Sequence, residues 1–425
     1  MGPKYQALKG MEDLLPGEIE KWQWLEQKAR VFFESRSFKE IRTPLLEYTD
    51  LFTRSVGEAS DIVHKEMFSF KDRGDRDISL RPEMTASVAR AVIEHGLLKT
   101  NKSLRLYYLG PMFRAERPQA GRKRQFHQIG IEIINETNLG GFNVDAEAIF
   151  QLCSFLSEVG LKDFRLRLND LGDAVQQKQS AEKLKHYFSG HKTKLCPDCQ
   201  YRLDRNVLRV FDCKNESCQP VIDKAPWNEI APLSKPFEAL TGALKNHVPF
   251  EINRRLVRGL DYYNGTVFEV TAAGLGAQDA LAGGGRYDRL YEDLGSDSTP
   301  CTGFSIGLER LLAALENSTP SLSERIKLRR VYLAPLEENQ KLRTQVYKDA
   351  LYLRQRDVQV ETLLGETSLS KHLKKANQLG IRFVLIMGSS EFEKRCWTAK
   401  DMEKKTQNEW PWEKLGTYLE EALSS

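Results

Sequence analysis

The sequence predicts an α+β body built on an antiparallel sheet, interrupted by a mostly helical insertion and followed by a small α/β domain. Three observations carry this. From Leu104 to Asn135 two strand-like runs, LRLYYLGPMFR and QFHQIGIEIIN, flank the polar loop AERPQAGRKR, which makes a long hairpin candidate. A second β pattern, LVRGLDYY then TVFEVTA, surrounds Asn264-Gly265, the strongest short hairpin signal when it lies between apolar runs. After the polar stretch ENSTPSLSERIKLRR, strand-like and helix-period runs alternate, which implies a mostly parallel sheet.

Taken in order, residues 17–36 place Ile19, Trp22, Leu25, Ala29 and Phe32 at steps of three and four, so a helix presents one apolar stripe to a core. FKEIRTPLLEYTDLF turns extended at Pro44, because proline pushes the residue before it out of the helical region. Charged helical stretches such as AVQQKQSAEKLKHYF mark an insertion over 172–250. GFSIGLERLLAALE reads as a buried strand running into a helix. The body therefore comprises 1–171 and 251–315, with a linker at 316–329 ahead of a domain at 330–425.

The chain has 425 residues, enough for two to four domains. No run approaches the ~20 uncharged apolar residues of a spanning helix, so no membrane role is expected. The 7 cysteines are an odd count and the first residues lack an apolar signal core, which argues against a secreted disulfide scaffold and for the cytoplasm. A net charge of +4 is too weak over this length to name a partner. Arg114, Arg117, Arg122, Lys123 and Arg124 against Glu116 make one concentrated exception.

Strand alternation puts Phe126, Gln128, Gly130 and Glu132 on one face and Ile129, Ile131 and Ile133 on the other. The isoleucine face must be packed, leaving an aromatic, an amide and a carboxylate to line a site or to face solvent. The basic loop suits phosphate capture by planar guanidinium groups, or is a solvated hairpin tip. Arg310 stands near the start of the GFSIGLERL helix, and GGGRYD lets a backbone approach a ligand, although neither is decisive alone. Cys196-x2-Cys199, thirteen residues, then Cys213-x4-Cys218 has the look of a four-thiolate zinc site or of reduced buried thiols. No residue is assigned as a metal ligand. HExxH and a Cys–His nucleophile motif are both absent.

In order along the chain, LKGMEDLLP, FKEIRTPLLEYTDLF, FRAERPQAGRKRQFHQIGIE, LVRGLDYYNGTVFEV, AGGGRYD and GFSIGLERL resemble the motifs of class II aminoacyl-tRNA synthetases. The LVRGLDYY and AGGGRYD stretches are particular to histidyl-tRNA synthetases of bacterial type, and the resemblance covers essentially the whole chain. It implies an antiparallel catalytic core, an anticodon-binding C-terminal domain, and a homodimer formed through the segment with Pro44. It also implies ATP and Mg²⁺, with L-histidine and tRNA(His) as partners.

By matched position, the resemblance makes Arg114 and Arg258 the catalytic candidates, neutralising charge as the histidine carboxylate attacks the α-phosphate. Arg114, Glu116, Phe126 and Arg310 would bind ATP. Glu83, Met84, Thr85, Arg114, Gln128, Glu132, Arg258, Tyr262, Tyr263 and Tyr287 would bind histidine, with Glu132 and Tyr263 on the imidazole. Arg117, Gln119, Arg122 and Arg124 would reach the acceptor end of tRNA. Arg258 and Tyr263 fall on opposite faces of a regular strand, so a break is expected at Gly259. Trp397, Trp410 and Trp412 are candidates for base stacking or for a core. A non-catalytic regulatory paralogue would lack the C-terminal domain and lose ATP-site residues, whereas Arg114, Arg258 and Arg310 are all present.

Overall fold

The apolar stripe of the first helix is realised over Ile19–Glu34, where Trp22, Leu25, Ala29, Phe32 and Phe33 are buried. A computed structural model describes residues 5–57, 60, 62–118, 121–137, 143–275, 279–318, 322 and 329–424. The chain forms two compact units, 1–323 and 324–425.

In the first unit the strands are β1 (Lys39–Glu40), β2 (Leu46–Tyr48), β3 (Ser69–Lys71), β4 (Asp77–Leu80), β5 (Leu104–Phe113), β6 (Gln125–Ile134), β7 (Phe164–Asp170), β8 (Phe250–Ile252), β9 (Asn264–Ala272), β10 (Ala280–Arg286) and β11 (Cys301–Gly307). Eight of them form one sheet in the order β1-β5-β6-β11-β10-β9-β7-β8. It is antiparallel except at its ends, where β1 runs parallel to β5 and β8 parallel to β7. β2, β4 and β3 make a small second sheet. The expected hairpin is β5–β6, with Ile129, Ile131 and Ile133 fully buried on one face. Each such side chain contributes about 1.5–3 kcal/mol.

The second hairpin expectation is overturned. Asn264 and Gly265 open β9 instead of turning a chain, and β9 pairs with β7 and β10. The segment 253–263 is irregular throughout rather than broken only at Gly259. Side chains and a distant backbone satisfy it in place of a ladder. Asn169 donates to the Leu256 carbonyl at 2.9 Å, Arg209 to that of Arg258 at 2.9 Å, and Gln177 to that of Tyr263 at 3.1 Å. The Asp261 N–H donates to the Val56 carbonyl at 3.1 Å.

Between β7 and β8 the chain is helical, beginning at Ala174–Ser189 behind a capping box of Asp173 and Gln176. Its helices close on their own apolar cluster, which includes Leu184, Phe188, Val210, Phe211 and Trp227.

The second unit holds β12 (Arg330–Pro335), β13 (Gln359–Thr362), β14 (Phe383–Met387), β15 (Cys396–Asp401) and β16 (Thr406–Pro411), in the order β13-β12-β14-β15-β16. β13, β12 and β14 are parallel, but β14–β15 and β15–β16 are antiparallel, so the sheet is mixed rather than mostly parallel. The charged tail hides this hairpin, whose turn puts Lys405 at φ 55°. Trp397 and Trp410 are buried in the core, and Trp397 Nε1 donates to Asp349 at 2.9 Å.

Candidate active site

The polar face of β6 meets bare backbone on two neighbouring strands. Gly303 lies opposite Glu132 and Ser305 opposite Gly130, while on β10 Gly285 and Gly283 lie opposite Gly303 and Ser305. These glycines make room. A Cβ on Gly303 would fall on Glu132 Oε2, one on Gly283 on the Arg258 guanidinium, and one on Gly130 on the Tyr108 hydroxyl.

Over this floor opens a cleft of about 320 Å³ lined by Arg114, Glu116, Phe126, Gln128, Arg258 and Arg310, among others. Arg114 is anchored through Nε to the Pro82 carbonyl at 3.0 Å and stands 5.1 Å from the centre of the Phe126 ring. Burial lowers its pKa, with Glu66 and Glu116 acting against that. Arg258 pairs with Glu269 at 2.7 Å, while its Nε is buried without a protein partner. Arg310, on the helix Leu308–Glu316, donates to the carbonyls of Ala280 at 2.6 Å and Gly121 at 3.0 Å. Gln128 donates to Ser305 Oγ at 3.3 Å.

Further along the same face of β6 lies a buried polar cluster. Glu132 is 1% exposed and accepts hydrogen bonds from Thr85 Oγ1 at 2.7 Å and from the Tyr287 hydroxyl. Burial pushes its pKa up to about 8 against those two donors. Glu83 accepts from the N–H groups of Thr85 and Ala86 at 2.7 and 2.9 Å, at the start of the helix Thr85–Glu94. The Tyr262 hydroxyl donates to Glu83 at 3.4 Å, and the Tyr262 and Tyr263 rings stand 4.7 Å apart. Burial pushes the Tyr263 phenol up to about 12.

The profile of the family described as histidyl-tRNA synthetase matches residues 10–187 and 217–311. The chain belongs to the histidyl-tRNA synthetase family. Residues 330–422 match the anticodon-binding domain profile. The histidine–tRNA ligase of Desulfosudis oleivorans is 43% identical over 414 residues, 96% of this chain and 95% of that one. That of Geobacillus thermodenitrificans is 41% identical over 98% of both. The solved structure of apo S. aureus histidyl-tRNA synthetase superposes with a TM-score of 0.76 at 31% identity, covering 98% of this chain and 99% of that one.

In this histidyl-tRNA synthetase family member the matched residues do not all converge. Met84 is buried, but its sulfur accepts from Thr43 at 3.2 Å and it lines a different cavity with Arg30 and Arg42. Glu116 lines the cleft while paired with Arg122 at 2.8 Å. Arg124 donates to the Glu116 carbonyl at 3.3 Å, Arg117 is exposed, and Gln119 lies outside the described residues. Three contributors escaped the sequence reading: Glu269 as the partner of Arg258, Arg209 as the clamp on its carbonyl, and Tyr108 above Gly130. Only Glu269 left a signal, a lone carboxylate within the apolar run TVFEVTA.

Proposed function

We infer that this cleft is where a histidine–tRNA ligase joins L-histidine to ATP, giving histidyl-adenylate and pyrophosphate, and then passes histidine to the 3′ end of tRNA(His). Three guanidinium groups, those of Arg114, Arg258 and Arg310, line one cleft whose floor leads to the Glu132–Tyr287–Thr85 cluster, and this observation carries the reading. Attack of a carboxylate on the α-phosphate brings two anions together, so cations must neutralise and align them. Arg114 and Arg258 take that role. The buried Nε–H of Arg258 is a donor for the reacting oxygens, since leaving it unpaired costs about 1–3 kcal/mol. Phe126 stacks on adenine, Glu116 accepts from its amino group, and Arg310 holds the γ-phosphate.

Histidine is selected at the deep end. Glu132 and Tyr263 meet the two ring nitrogens, Tyr262 and Tyr287 wall the ring, and Glu83, Thr85 and Gln128 receive the α-amino end. An amino acid without those nitrogens leaves buried polar groups unpaired, which discriminates without an editing site. No general base is needed, because the attacking carboxylate is already ionised. Glu66 on the cleft wall, a carboxylate given no other role in this reading, would suit Mg²⁺, which one or two carboxylates hold together with substrate phosphates. Bound there, Mg²⁺ supplies charge neutralisation for pyrophosphate.

Arg117, Gln119, Arg122 and Arg124 meet the acceptor end, residues 172–250 form an insertion domain against the acceptor arm, and 330–425 read the anticodon beyond a linker at 316–329. The exposed apolar side chains of Leu45, Leu46, Tyr48 and Phe70 support a homodimer across β2 and its neighbours. Among the described residues no helix is long and apolar enough to cross a membrane, and the cysteines are free, which supports a cytoplasmic enzyme. Pyrophosphate exchange with ATP and each amino acid tests the reading. Exchange with histidine alone is expected, and no exchange with any amino acid overturns it.

A further inference from the structure

Outside the cleft, the insertion brings four cysteines from scattered chain positions to one point. Cys196 stands at the N-terminus of the helix Pro197–Arg205 and Cys199 lies one turn in. Cys213 follows the 3₁₀ segment Val207–Asp212, and Cys218 precedes the helix Gln219–Asp223. Their four sulfurs all lie within 4.8 Å of one another, and those of Cys196 and Cys213 are 3.8 Å apart. A tetrahedral ion with Zn–S bonds of about 2.3 Å sets its sulfurs about 3.8 Å apart.

Two backbone amides point at the cluster as they would at thiolates. The Cys196 N–H donates to Cys218 Sγ at 3.1 Å, and the Asn215 N–H to Cys213 Sγ at 3.4 Å. Cys199, Cys213 and Cys218 are buried, yet each faces other sulfurs, where a core thiol serving as a small apolar filler would face hydrocarbon.

We propose that Cys196, Cys199, Cys213 and Cys218 bind one Zn²⁺ ion as a closed structural site. Binding forms four S–Zn bonds and releases the protons held by the thiols, with no change of oxidation state. The ion joins the ends of three short helical segments that share one small apolar cluster. It also fixes the 3₁₀ segment carrying Arg209, which clamps the Arg258 carbonyl at the edge of the cleft. Sulfurs this close fit a single ion; an iron–sulfur cluster must place several irons between its thiolates.

The test uses the full-length chain purified from zinc-replete medium without chelators or an affinity metal. Elemental analysis is expected to give one zinc per chain in the wild type and in Cys396→Ser, whose thiol lies in the other unit, and none in Cys196→Ser or Cys218→Ser. Because a variant can lose zinc by misfolding, the wild type is also stripped and titrated with Co²⁺. An intense visible spectrum of tetrahedral cobalt–thiolate, saturating at one equivalent, is the expected result. A wild-type protein without zinc and with these thiols free, disulfide-linked or holding iron overturns the proposal, as does a Co²⁺ titration that yields no thiolate bands.

Discussion

Glu132 offers a test in which the sign and size of the effect both come from its surroundings. Burial raises its pKa from an ordinary 4.5 to about 8. At about 1.36 kcal/mol per unit, the pocket disfavours the free carboxylate by ~5 kcal/mol, and at pH 7 roughly nine in ten ligand-free molecules keep the proton. A neutral imidazole meeting a protonated Glu132 brings one proton to the pair, the same number as an imidazolium meeting the carboxylate. Above pH ~8 the free enzyme has lost that proton, so histidine affinity should fall about tenfold per pH unit. Free histidine also titrates, but the wild-type affinity divided by that of Glu132→Gln cancels its contribution. We expect this ratio, measured by calorimetry, to be flat up to pH ~8 and to decline tenfold per unit above it. A flat ratio to pH 9.5, or a decline beginning near pH 4.5, would refute the placement of imidazole against Glu132.

The same shift governs stability without ligand: the folded state keeps a proton that the unfolded state releases above pH 4.5, so Glu132's contribution is fully present below 4.5 and lost by about 8. Denaturant titrations of wild type and Glu132→Gln should diverge in slope across that window and run parallel above it. Arg258→Ala, made together with Glu269→Gln so that no carboxylate is left unpaired, should lower pyrophosphate exchange by at least about a hundredfold with the fold intact by circular dichroism. Near-normal exchange contradicts its role. Gly303→Ala puts a methyl against Glu132 Oε2 and the Ile131 carbonyl, so the KM for histidine should rise far more than that for ATP; equal changes would mean that the floor is distorted generally. Trp397→Phe strips a donor from buried Asp349, which should cost about 1–3 kcal/mol and lower the melting temperature of the C-terminal unit.

The parts of this architecture legible in the sequence are those set by period and by local sterics. Ile129, Ile131 and Ile133 declare their face by alternation, and the stripe from Trp22 to Phe32 declares a helix. Asn264-Gly265 misled because a turn dipeptide states only what a backbone can do locally. Here Gly265 does adopt φ 61°, but β7 and β10 had already claimed the following strand as their partner. The tail hairpin was missed for the opposite reason, since β16 is mostly exposed and its polar residues carry no periodic signal. At the site, it was the resemblance to the family's motifs that pointed to the arginines and tyrosines. Their supports, Glu269, Arg209 and Tyr108, depend on contacts between segments far apart in the chain, which no local pattern encodes.

The glycine floor under the cleft has a consequence for how this protein can drift or be engineered. Glycine within a strand gives up about 0.5–1 kcal/mol relative to alanine, and here Gly130, Gly283, Gly285 and Gly303 sit side by side at the centre of the sheet. The centre of this sheet therefore forgoes side chains of its own, and is packed by the isoleucines on one face and by the Tyr108 and Tyr287 side chains on the other. Replacing strand glycines with alanine is a standard route to a hardier protein. Applied to these positions it would drive a methyl into Glu132, Tyr108, the Arg258 guanidinium or a strand carbonyl, filling the binding floor and straining the strands instead of strengthening them. Gains in robustness must come instead from the opposite face of the sheet or from the helices, leaving the centre a fixed point around which the rest of the sequence is free to change.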